Sequence, residues 1–189
     1  MHTDHVGSLL RPAAVLRARE GYASGRLALD ALREAEDAAI VHALDLQREV
    51  GLEIFTDGEI RRDAWMTDVA EAVDGFVEQH RMMTWHLPDG STLQEPSRGK
   101  VVASPLHQTT RITGYEMSFL SEHAPGPVKM TMPSPIAIAN GSFTAGVSDA
   151  AYPSREALLE ELVGIMRGEM LALVDDGVAY VQLDEGFAG

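Results

Sequence analysis

The chain has 189 residues, with 29 acidic and 15 basic side chains and a formal net charge of −14, a balance that excludes a nucleic-acid grip. Hydrophobic residues make up 45%, with no apolar run near the ~18 residues a membrane span needs, so the composition predicts a soluble globular chain with no membrane partner. There is no cysteine, which removes disulfides, thiolate nucleophiles and every cysteine-bearing metal site.

The start, Met1 to His5, has neither a basic n-region nor an apolar h-region, so a cytoplasmic location is expected. A short apolar strand is predicted over Asp4 to Ser8, closed by Gly7-Ser8. A helix follows from Pro12 to Tyr22, with proline in the first turn, where its missing N–H costs nothing. From Asp30 to Val50 the apolar positions Leu32, Ala35, Ala39, Ala43, Leu46 and Val50 recur at steps of three and four, a strong helix signal. Gly51 ends it, and Leu52 to Thr56 reads as a strand running into Asp57-Gly58.

A second helix is predicted over Ala64 to Gln79, then a hairpin-like insertion over 80–111 turning at Pro88-Asp89-Gly90. Gly114 to His123 reads as helix and Val128 to Met132 as strand. Ser154 is placed as the N-cap of a helix carrying Leu158, Leu162, Met166, Met170 and Leu173, and Val178 to Leu183 as a strand ending in Asp184-Glu185. Alternating strands and helices imply an α/β fold with parallel crossovers, and about four strands fit half of an eight-stranded barrel or a small open sheet. The whole of 1–189 reads as a single domain.

In parallel α/β folds functional groups gather at the carboxyl ends of strands. Glu59, Asp184 and Glu185 fall there, carboxylates able to hold an ammonium, bind a metal or act as acid and base, or else simply to be solvated. Gly7 and Ser8 could receive an anion on backbone N–H groups and a hydroxyl, or form an ordinary turn. Arg61 and Arg62 are salt-bridge partners or the counter-charge of an acidic substrate, and His2, Asp4 and His5 match no strong metal template.

Four blocks stand in fixed order: Asp4-His5-Val6-Gly7-Ser8-Leu9-Leu10-Arg11-Pro12; Thr56-Asp57-Gly58-Glu59-Ile60-Arg61-Arg62 with Trp65; Val128-Lys129-Met130-Thr131-Met132-Pro133-Ser134-Pro135; and Tyr180-Val181-Gln182-Leu183-Asp184-Glu185. Together they resemble the C-terminal catalytic domain of cobalamin-independent methionine synthase, especially its single-domain relatives. The resemblance implies a (β/α)8 TIM-barrel family fold, of which this chain corresponds to about the first half. It implies methyl transfer from 5-methyltetrahydrofolate to the zinc-activated thiol of homocysteine. By resemblance Val6, Gly7 and Ser8 contact the amino acid's carboxylate end, and Glu59 and Asp184, the expected catalytic pair, hold its ammonium; homocysteine or methionine is the expected partner.

Departures from the family pattern bear on function. Zinc is expected of the family, but its histidine, cysteine and glutamate ligands follow the Asp-Glu strand, and no metal ligand is carried over. Gly186 follows Glu185 where the family has proline, and Gly141 stands near the place of the folate-stacking tryptophan, which argues against folate as donor. The 189 residues alone are therefore expected to be a truncated, inactive methyltransferase. Alternatives are alkyl transfer to another thiol such as coenzyme M, or a non-enzymatic half-barrel that assembles with itself or with a complementary half.

Overall fold

The computed structural model describes residues 5–63 and 67–185. Its elements are α1 (Ala13–Ala23), α2 (Leu29–Glu49), α3 (Thr67–Ala72), β1 (Val73–His86), β2 (Thr92–Gln108), α4 (Gly114–His123), β3 (Lys129–Pro133), α5 (Pro135–Ser142), a 3-10 turn (Ser148–Ala150), α6 (Arg155–Asp175) and β4 (Tyr180–Asp184). They fall into two compact units, one drawn from 1–68, 113–132 and 170–183, the other from 69–112, 133–169 and 184–189.

In the first unit, α2 buries a stripe of Leu32, Ala39, Ile40, Ala43 and Leu44, and Glu36 and Gln47 lie buried in the same stripe. Gly51, at φ 81°, ends the helix in the left-handed conformation that glycine adopts without penalty. The strand expected over 52–56 shrinks to one parallel bridge, Phe55 with Val128, because Leu52 N–H turns back to Gln47 O and Phe55 alone bonds to the 127–129 backbone, taking one bond from Lys129 N–H and giving one to Pro127 O. β3 is buried from end to end and pairs with β4. No ladder forms over 5–8. The carbonyls of His5 and Val6 are instead taken by the Lys129 ammonium.

The second unit is built on the β1–β2 antiparallel hairpin, in register from Phe76 with Val102 to His86 with Thr92. Its turn is where the sequence places it: Gly90 sits at φ 83°, and Asp89 Oδ1 accepts from the Ser91 N–H and hydroxyl. The expected helix over 64–79 is corrected. Residues 64–66 lie outside the described residues, the helix ends at Ala72, and strand begins at Val73. Val69, Ala72, Val73 and Phe76 are spaced as on a helix face, which conceals the change. A bulge between Asp74 and Phe76 breaks the pattern at Gly75, whose φ of 113° and approach to Ser104 O leave no room for a side chain. The hairpin thus spans 73–108. α5 was not expected from the sequence, although Ser134 caps it by accepting from Ala137 N–H and Pro135 opens it. Ser154 caps α6 in the same way, accepting from Ala157 N–H at 3.3 Å. Among the described residues no helix is long and apolar enough to cross a membrane.

Candidate functional site

The loop after Phe55 owes its shape to α2. Gln47 donates from its amide to Thr56 O at 2.9 Å and accepts from Thr56 N–H at 3.0 Å, so both backbone groups of a buried residue are closed by one side chain. Two further turns then curl the chain. Gly58 N–H donates to Thr56 Oγ1 at 3.0 Å, and Glu59 N–H donates to Asp57 Oδ1 at 2.9 Å. Gly58 and Glu59 both lie in the left-handed region, at φ 69° and 54°, and Glu59 is the one non-glycine residue there among the described residues. A residue with a side chain pays for that conformation, so its surroundings must hold it.

They do so densely. Leu9 N–H donates to Gly58 O at 2.9 Å, and Arg11 reaches Glu59 O at 2.8 Å and Arg62 O at 3.1 Å. Arg19 donates to Ile60 O and Arg62 O, at 2.6 and 2.9 Å. Lys129, buried in β3, spreads its ammonium over His5 O, Val6 O and Gln182 Oε1. This brings the 5–9 segment against the loop.

The Glu59 carboxylate stands where these meet. Oε1 accepts from Thr131 Oγ at 2.8 Å, and Oε2 accepts from Ser8 Oγ. A Cβ on Gly7 would stand 2.3 Å from Oε1, so the carboxylate fits only against a glycine. Arg62 approaches Glu59 at 3.8 Å but gives its strong bonds elsewhere: two to Glu116 on α4, at 2.9 and 2.7 Å, and one to Thr131 O at 2.9 Å. Asp57, Glu59, Arg62, Glu116 and Thr131 are all buried. Burial, with the Glu116 carboxylate adding to it, pushes the Asp57 carboxyl up to about 7 against the pull of Arg62, the Glu59 N–H bond and Arg61. Its Oδ2 is buried without a hydrogen-bond partner. Burial likewise raises Glu36 on α2, opposed by Arg33, Arg19 and Arg61.

Of the residues singled out from the sequence, Val6, Gly7, Ser8 and Glu59 lie together in the first unit. Asp184 ends β4 in the second unit, where its carbonyl accepts from Ser134 N–H, and Glu185 is exposed. Arg61 and Arg62 are ion-pair partners, Arg61 to Asp37 and Arg62 to Glu116. His2, Asp4, Trp65 and Gly186 lie outside the described residues. Gln47, Asp57, Glu116, Lys129 and Thr131 were not read as site residues. Asp57, Lys129 and Thr131 stand inside the blocks that carry the family resemblance, Gln47 and Lys129 are polar residues in an apolar stripe or strand, and Glu116 leaves no local signal. The residues present do not fit zinc: the sequence holds no thiolate donor, and among the described residues no three His, Asp or Glu side chains converge on one point.

A family model described as the catalytic domain of cobalamin-independent synthase matches residues 1–189. The chain is 32% identical over 187 residues to the uncharacterized protein YxjH of Bacillus subtilis, covering 96% of this chain and 47% of that protein. It is 28% identical over 184 residues to methionine synthase of Sulfurisphaera tokodaii, covering 97% and 51%. A Listeria monocytogenes structure assigned as a vitamin-B12-independent methionine synthase superposes with a TM-score of 0.70 at 28% identity, over 99% of this chain and 55% of that one. The chain spans about half the length of these relatives.

Proposed function

The chain belongs to the cobalamin-independent synthase catalytic-domain family, with its TIM-barrel-family α/β fold, and we propose that it supplies the amino-acid pocket of a methionine-synthase-like methyltransferase. One observation carries this reading: the buried Glu59 carboxylate, set against Gly7 and Ser8, accepts two hydroxyl bonds. An ionised carboxylate offers about four acceptor positions, so Glu59 retains capacity for an ammonium. The Ser8 hydroxyl proton is given to Glu59, so backbone N–H groups of the Val6-Gly7-Ser8 segment would orient the carboxylate end of the same amino acid. Homocysteine and methionine, acceptor and product of such a transfer, share both groups and differ only at sulfur.

In the family reaction zinc activates the acceptor thiol, which at a free pKa near 8.5 is mostly protonated at neutral pH. Among the described residues no donor set for that step converges, and the role proposed for them is to bind and orient the amino acid. Calorimetry with methionine and with 4-(methylthio)butyrate, which lacks the amine, tests the reading. Methionine should bind at least about tenfold more tightly, the scale of a hydrogen bond to a charged group. Equal binding of the two, or binding of neither by a folded chain, would count against it.

A second reading concerns partners. Among the described residues β4 pairs with β3 alone, and its Tyr180 and Leu183 are exposed. Large apolar side chains exposed along a strand invite an apolar partner surface. We propose a second copy or a complementary half-barrel as the occupant, to be tested by sedimentation over a range of concentrations; a single monomeric species throughout would exclude self-assembly.

A further inference from the structure

We propose that Asp57 is a positioning residue for Glu59, holding the peptide of the ammonium-binding carboxylate in its left-handed conformation by acting as a neutral hydrogen-bond acceptor rather than as an anion. Two irregularities meet at a single peptide. Glu59 is the only non-glycine residue at positive φ among the described residues, and its N–H is bound by Asp57 Oδ1. The other oxygen of that carboxyl, Oδ2, is buried and has no hydrogen-bond partner. A buried carboxylate anion normally finds a cation or several donors. Here Arg62, the nearby guanidinium, is forked onto Glu116, and Arg61 pairs with Asp37.

The charged groups facing Asp57 are Glu59, Arg61 and Arg62 from its own loop and Glu116 from α4. An ionised Asp57 would add a second uncompensated negative charge beside the Glu59, Arg62 and Glu116 cluster, whereas a protonated one adds none. Burial favours the neutral acid below about pH 7, against the pull of Arg62, of the Glu59 N–H bond itself and of Arg61. The bond to Glu59 N–H needs only an oxygen lone pair, which the neutral acid retains. Holding Glu59 at positive φ sets the direction in which its side chain leaves the backbone. Asp57 therefore shapes the pocket without touching the ligand.

The ligand side of this proposal rests on the amino-acid pocket reading, whereas the backbone side does not. The experiment is amide hydrogen exchange at Glu59 in the ligand-free native chain, Asp57→Asn and Asp57→Ala, with methionine binding measured on the same three proteins. Asparagine keeps the acceptor and cannot ionise; alanine removes the acceptor. Exchange at Glu59 should quicken about tenfold in Asp57→Ala, the scale of one lost hydrogen bond, and stay within about threefold of native in Asp57→Asn. Methionine affinity should follow the same order, lost in alanine and restored in asparagine. Asparagine behaving like alanine would overturn the proposal, because the charge would then be what matters. Native protection in alanine would also overturn it. If Asp57→Ala does not fold, native against Asp57→Asn still decides between charge and acceptor. The exchange pattern without methionine binding would refute the pocket reading and leave the hold on Glu59 standing.

Discussion

Gln47 on α2 closes both backbone polar groups of Thr56, donating to its carbonyl at 2.9 Å and accepting from its N–H at 3.0 Å. One side chain thereby replaces two rungs of a strand ladder in a segment where only Phe55 forms a bridge. Gln47→Leu keeps the volume roughly constant and leaves two buried backbone groups unpaired. The expected loss of stability is about 3 kcal/mol, read from urea unfolding. A loss no larger than that of an exposed substitution would show that the loop does not depend on this contact.

Gly7 has no Cβ because the Glu59 carboxylate stands in its place, 2.3 Å from where one would be. In Gly7→Ala the flexible carboxylate moves rather than the backbone, breaking its bonds to Ser8 and Thr131. Stability should fall by about 1 kcal/mol while methionine binding weakens at least about tenfold. A large loss of stability with unchanged affinity would separate Gly7 from the pocket.

Arg62 and Glu116 form a buried two-bond pair between the loop and α4. Arg62→Met leaves the Glu116 carboxylate buried and uncompensated, at a cost of about 3–5 kcal/mol. Adding Glu116→Leu should recover much of that loss, since both charges are then gone. A double-mutant cycle in urea measures it, and additive effects would contradict the pairing.

The Asp57 carboxyl lies at about 7 in the folded chain against an ordinary value of 3.8. Between those two values the folded chain holds a proton that the unfolded chain has released. The contribution of Asp57 to stability therefore falls as pH rises across that window and is flat above it. Asp57→Asn carries no such proton, so its stability relative to the native chain should rise from about pH 4 to pH 7 and then level off. Urea unfolding at several pH values checks this, and parallel profiles for the two proteins would contradict it.

Residues whose neighbours lie close in sequence were readable. The α2 helix, the Pro88-Asp89-Gly90 turn, the Ser154 cap and the β3 strand each follow from spacing within a dozen positions, although on α2 the expected Leu46 and Val50 are exposed and Ile40 and Leu44 complete the buried stripe instead. Glu59 and Ser8 stood out because both follow short apolar segments, yet neither segment forms a full strand. The supports of Glu59 were not readable. Arg62 meets Glu116 across 54 positions and Thr131 meets Glu59 across 72, and no local pattern records either pairing. The start of β1 was hidden for another reason: Val69, Ala72, Val73 and Phe76 satisfy helical spacing, and only the long-range pairing of Phe76 with Val102 decides for strand.

Whether Glu59 receives the ammonium of an amino acid is decided by titrating methionine into the native chain and into Glu59→Gln. The substitution keeps the shape and removes the charge. The native chain should bind methionine saturably, and Glu59→Gln should weaken that binding by about 10- to 100-fold, the scale of a hydrogen bond to a charged group. Equal affinity in both proteins, each shown to be folded, would contradict it.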